Sequence, residues 1–268
     1  MRKYSWLVLL WSLAIPLHAQ QLPPVRELRV LFVGNSLTYV NNLPATLSAI
    51  AAAQPQAVRI TTATYVAPGG TVAERWKDGV APAALREGRW DAVVLQERGG
   101  LLACMVDAEQ RQQAECRASE RAHKDFAALA TTAGARTLLL ATWGPDEAWQ
   151  LKLDRAIRQL ASRTSAEVVP AGSTLRAWAS AHSQEATFPD KVHPSLPATL
   201  IMAAQLYHAI AGSEPTPADV TLDFALLPPM AAVRPDAPLE EQPRLKGDGR
   251  KVVVKADAMK SLLDAAAR

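Results

Sequence analysis

Leu28-Arg29-Val30-Leu31-Phe32-Val33-Gly34-Asn35-Ser36-Leu37 is a dense apolar run, rich in branched residues, that stops at a glycine-asparagine turn signal and delivers a serine. A strand with one wet face alternates apolar and polar residues. A run without that alternation reads as a strand covered on both faces, as in a parallel sheet. Three similar runs follow at 58–63, 92–95 and 137–141, with a weaker one at 167–169.

Stretches of helical texture separate these runs. Residues 43–54 are rich in Ala and Leu, with Asn41 and Asn42 available as caps. Residues 72–87 carry Trp76 and Leu85 among charges. Residues 119–133 open on Ser119 and space Phe126, Leu129 and Ala130 helically. Residues 145–162 open on Pro-Asp-Glu, and residues 196–211 stop at Gly212. Strand and helix therefore alternate. That order predicts an α/β fold, a three-layer sandwich around a central parallel sheet of about five strands.

The chain has 268 residues, 49% of them hydrophobic, enough for one sizeable core. A charged fraction of 21% is ordinary for a folded protein and excludes pervasive disorder. Residues 1–19 read as a signal peptide: Arg2 and Lys3, an apolar stretch from Tyr4 to Leu17, then His18-Ala19 before a cut. The stretch is short for a membrane span. The mature chain is expected to be periplasmic or secreted, without stable membrane insertion. Residues 20–212 form the expected domain, and residues 213–268, crowded with prolines, an extension wrapped on it or partly loose. Within the extension, residues 251–267 suit a strand and a short helix. The formal charge is +3, of which Arg2 and Lys3 leave with the signal. With no clustered Lys/Arg stripe, nucleic acid is not an expected partner.

Cys104 and Cys116 flank a polar Glu/Gln/Arg-rich stretch. Export makes a disulfide between them the natural reading, with two unpaired thiols as the alternative. Their spacing, with no neighbouring histidine, does not suit zinc, and no metal is expected.

In open parallel sheets, ligands bind beyond the carboxyl ends of the strands, where strand order reverses. Ser36 stands at such an end. A serine after a strand is commonly a turn or capping residue, so its partners decide the matter. Asp190-Lys191-Val192-His193 supplies them. A carboxylate three residues before a histidine can hold one imidazole nitrogen and leave the other to take a proton from serine. Candidate oxyanion donors are the Ser36 N–H, a backbone N–H of Gly69-Gly70 after the second strand, which is otherwise a plain turn, and the Gln96 amide after the third. Glu97 shares that edge, but a carboxylate repels an oxyanion. In a sheet ordered 2-1-3-4-5, Ser36 and Gln96 face each other. Trp143, after the fourth strand, is either a stacking wall for a sugar ring or a wedge in the core. The loop at 97–118 is either a lid or a surface ornament.

Together these residues resemble the SGNH (GDSL-like) hydrolases. Gly34-Asn35-Ser36-Leu37 looks like the family's Gly-Asp-Ser-Leu block, Gly70 like its second-block glycine, and Asp190-x-x-His193 like its last block. The resemblance covers roughly residues 28–212. It implies a flavodoxin-like sheet, Ser36 as nucleophile, His193 as base, Asp190 as the residue orienting the base, and no cofactor. Asn35 replaces the usual Asp. Val94-Leu95-Gln96-Glu97 occupies the place of Gly-x-Asn-Asp, so the donor role passes to Gln96. A nucleophile elbow, Gly-x-Ser-x-Gly, fits less well because Thr38 stands at its second glycine. The implied activity is hydrolysis of small-molecule or carbohydrate esters, O-acetyl groups among them. The rival is a catalytically inactive carbohydrate- or envelope-binding protein on the same fold.

Overall fold

A computed structural model describes residues 25–55, 58–245 and 249–267. The signal-peptide reading of residues 1–19 lies outside the described residues.

The apolar runs form five parallel strands: β1 (Arg26–Gly34), β2 (Val58–Val66), β3 (Ala92–Leu95), β4 (Arg136–Leu140) and β5 (Glu167–Val169). Their order is β2-β1-β3-β4-β5, as expected. Alternate residues of each strand point to opposite faces. Val30, Phe32, Val94 and Leu138 enter one core, and Leu31, Val33, Val93 and Leu139 the other. Both faces are covered, so both sets must be apolar, and the runs are continuous.

Helices α2 (Leu43–Ala52), α7 (Ala171–Ala181), α9 (Leu196–Ala211) and α10 (Ala256–Ala266) cover the first face. Helices α3 (Val72–Asp78), α4 (Val80–Glu87), α5 (Ala114–Thr132) and α6 (Glu147–Thr164) cover the second. Single-turn helices α1 (Ser36–Tyr39) and α8 (Gln184–Thr187) sit in connections. Local signals set these bounds. Thr71 and Glu74 form a reciprocal capping box on α3, Asp146 caps α6 through the Trp149 N–H, and Ser195 caps α9, which ends on Gly212.

Two expectations need correction, and one helix was not expected. Residues 72–87 are two helices, because Gly79 adopts φ 77° and turns the chain between them. Helix α5 begins at Ala114, ahead of Ser119. Helix α7 had no counterpart in the sequence reading.

The extension packs on the domain. Strands β6 (Val220–Leu222) and β7 (Val252–Val254) pair antiparallel, and α10 buries Met259, Leu262 and Leu263 in the first core. Leu227, Val233 and Leu239 join Tyr39, Val40 and Val66 in a third cluster. Glu240 reaches edge strand β2, where its carboxylate accepts from the Thr64 N–H at 2.9 Å and the Thr62 hydroxyl at 2.7 Å.

Candidate active site

The register of β1 against β3 pairs Val33 with Leu95. The next residues on each strand are therefore neighbours, and Asn35-Ser36 emerges beside Gln96. Asn35 builds the serine's turn. Its Oδ1 accepts from the Leu37 N–H at 3.0 Å and caps α1, while its Nδ2 donates to the Gly70 carbonyl at 2.9 Å. An asparagine makes both bonds at once; an aspartate carboxylate has no proton for the second. Asn35 thus serves both partners at once, a role that the residue type alone did not reveal.

The far end of the chain completes the arrangement. Ser36 Oγ lies 2.9 Å from His193 Nε2, and His193 Nδ1 lies 2.6 Å from Asp190 Oδ2. An ionised carboxylate only accepts, so Nδ1 carries the proton and Nε2 faces the serine hydroxyl with its lone pair. The other oxygen of Asp190 accepts from the backbone N–H groups of Val192 at 3.0 Å and His193 at 2.7 Å. Burial raises the Asp190 carboxyl. The hydrogen bonds from the His193 backbone, the His193 ring and the Val192 backbone outweigh that and hold it below the usual carboxylate range.

The expected oxyanion donors are placed unevenly. The Ser36 N–H stands at the first position of α1, where no intrahelical carbonyl exists to accept it. The Gly70 N–H closes its own turn on the Ala67 carbonyl at 3.1 Å, with Gly69 at φ 65°. Gln96 is 1% exposed. Its Oε1 accepts from the Asn35 N–H at 3.1 Å and the Thr38 hydroxyl at 2.8 Å, and its Nε2 donates to the Glu97 carbonyl. A backbone donor fixes which end of the amide faces the turn. The expectation of Gln96 as an oxyanion donor is corrected to this extent: its side chain braces the serine's turn from behind. Thr38, read from sequence only as a missing glycine, is part of the same brace.

Glu97 is also spoken for. It accepts from Val72 N–H at the start of α3 at 3.3 Å, from the Arg98 N–H at 2.6 Å and from the Ser119 hydroxyl at 2.6 Å. Its buried carboxylate ties β3, α3 and α5 together. Cys104 and Cys116 are joined by a disulfide, with Cα atoms 6.1 Å apart. The loop they staple buries Leu102, Ala103 and Met105 in the second core, so the ornament reading fails.

Trp143 is corrected as a sugar wall. It is 8% exposed, its ring packs 5.1 Å from that of Phe188, and its Nε1 donates to the Val192 carbonyl at 2.8 Å. The ring is part of the first core, the wedge that the sequence offered as the alternative. Asn41, which the sequence offered only as a cap, donates from Nδ2 to the Pro194 carbonyl at 2.9 Å.

No family model and no curated relative matches the chain. Solved structures do. A Slackia heliotrinireducens protein described as an SGNH hydrolase aligns over 68% of this chain and 98% of its own, with 23% identity and a TM-score of 0.55. The fold is that of the SGNH hydrolases. A Parabacteroides merdae protein described as a GDSL-like lipase shares this fold over 71% of this chain and 99% of its own, at 15% identity and TM-score 0.51. An acetylxylan esterase from Geobacillus stearothermophilus does so over 69% and 94%, at 15% identity and TM-score 0.51.

Proposed function

We propose that the chain is an exported serine ester hydrolase of the SGNH superfamily that removes short acyl groups, acetyl among them, from carbohydrate esters. The continuous path Ser36 Oγ–His193 Nε2, His193 Nδ1–Asp190 Oδ2 carries the proposal. In it, Oγ attacks the ester carbonyl while Nε2 takes its proton. Asp190 stabilises the imidazolium that forms. The oxyanion draws on the Ser36 N–H. Nε2 then returns the proton to the leaving alkoxide, which departs as alcohol and leaves an acyl-enzyme. Water, deprotonated by the same nitrogen, releases the acid and restores the serine.

Acetylxylan esterase chemistry on the same fold supports the choice of substrate class. Export is supported by the disulfide, since such bonds persist in oxidising compartments. The test is hydrolysis of p-nitrophenyl acetate by the wild type and by Ser36→Ala. The expected loss in Ser36→Ala is at least about 10³-fold. Undiminished activity in that variant removes Ser36 from the mechanism. Silence from both proteins across several acyl esters favours the carbohydrate- or envelope-binding reading.

A further inference from the structure

The Asp190–His193 segment is a loop, and its internal bonds alone fix neither its placement nor, without support from outside, its shape. Among the described residues, the carboxylate of Asp190 bonds to residues 192 and 193 of the same loop. Lys191 holds φ 70°, a left-handed conformation uncommon for a side chain of its kind, and its N–H closes a turn on the Phe188 carbonyl at 2.9 Å. Val192 is 52% exposed, so its side chain is no buried anchor for the loop. Strain of this sort persists where surrounding structure over-determines the backbone.

Two side chains from elsewhere in the fold supply that constraint. The Trp143 Nε1–H, from the end of β4, holds the carbonyl of Val192 at 2.8 Å. The Asn41 Nδ2–H, from the turn after α1, holds the carbonyl of Pro194 at 2.9 Å and also reaches the Thr199 hydroxyl at 3.1 Å. These two carbonyls flank His193. Trp143 is itself immobilised against Phe188, which is 1% exposed. Asn41 is held through its backbone N–H on the Leu227 carbonyl at 2.9 Å.

We infer that Trp143 and Asn41 are positioning residues, a two-point clamp on the carbonyls either side of His193 that sets the imidazole in line with Ser36. The inference rests on the proposed roles of Ser36 and His193. Neither clamp residue touches the reacting atoms. Their effect runs through the angle and distance of Nε2, and small misplacements of a reacting group cost rate steeply.

Trp143→Phe keeps the ring against Phe188 and deletes the donor. Asn41→Gly keeps the left-handed backbone, since Asn41 has φ 54°, and deletes the other donor. Each is compared with wild type for kcat and KM on p-nitrophenyl acetate, for thermal midpoint, and for the low-field proton resonance of the His193 Nδ1–H bonded to Asp190. The expected result is a fall in kcat of about 10-fold or more, KM within about twofold, an unchanged folded spectrum, and a broadened or lost resonance. Wild-type kcat with an intact resonance in both variants overturns the clamp, as does a kcat loss with the resonance unmoved. Absence of the resonance from the wild type overturns the geometry beneath it. If the wild type proves to have no esterase activity, the proposed function fails separately, and the resonance alone decides the clamp.

Discussion

Replacing Gln96 with methionine keeps the length and nearly the volume of the side chain, so the change isolates what the amide does. In the native protein Gln96 Oε1 is the acceptor for the Asn35 N–H and the Thr38 hydroxyl, in a region where Asn35 is 2% and Thr38 0% exposed. Methionine offers neither donor a comparable partner. A backbone N–H deserted in the interior costs about 1–3 kcal/mol, and a hydroxyl that rotates in search of another acceptor rather less. The sum is about 2–5 kcal/mol, a large part of the roughly 5–15 kcal/mol that holds a typical domain together. Urea unfolding followed by tryptophan fluorescence, extrapolated linearly to water, reads it directly. A side chain acting only as a free oxyanion donor would show the opposite pattern: stability unchanged and a rate lower by roughly 10²–10³. A loss of stability below about 1 kcal/mol would refute the brace.

Gly34→Ala is expected to be poorly tolerated for want of space. A Cβ there would lie 2.6 Å from Thr38 Oγ1 and 2.7 Å from Gln96 Oε1, which are bonded to each other and cannot both retreat; a thermal midpoint equal to wild type would disprove this. Asp190 makes a pH-dependent contribution. Its carboxyl is lower in the folded than in the unfolded chain, so the stability it adds is present at neutral pH and is lost as pH falls through its depressed folded value. Wild type should therefore lose more stability than Asp190→Asn on acidification from about pH 5 to about pH 3; parallel losses in denaturant titrations at the two pH values would count against the hydrogen bonds assigned to it.

The sheet was legible because both its faces are covered: the runs at β1 and β3 have no polar alternation to confuse them. The sandwich followed from alternation with helices, the order of strands from the flavodoxin-like sheet that the resemblance implies, and Asp190-x-x-His193 was legible because three residues are enough to close a carboxylate on a following N–H and ring. Directions of single side chains were not. Trp143 stands at the predicted edge, but position along a strand does not say whether the ring turns outward or down onto Phe188. The position of Gln96 was equally readable, while the choice of which amide end faces Asn35 belongs to the folded register. Helix α7 escaped notice because its stretch, Ala171 to Ala181, is mostly small residues with few apolar markers. The break at Gly79 was written in the sequence as a single glycine, and a mid-helix glycine alone does not announce a turn.

Glu240 gives the C-terminal extension a meaning beyond packing. A β-sheet has no intrinsic reason to stop growing: the outer side of its last strand offers the same donors to a foreign strand as to a native one. Along β2, the Thr64 N–H is already occupied by a carboxylate that no incoming carbonyl can easily displace, and the neighbouring threonine hydroxyls are held by the same group. The extension thus closes the β2 edge of the sheet at Thr64. A domain cut back to residue 212 would present the Thr64 N–H as an open border to every other copy in solution.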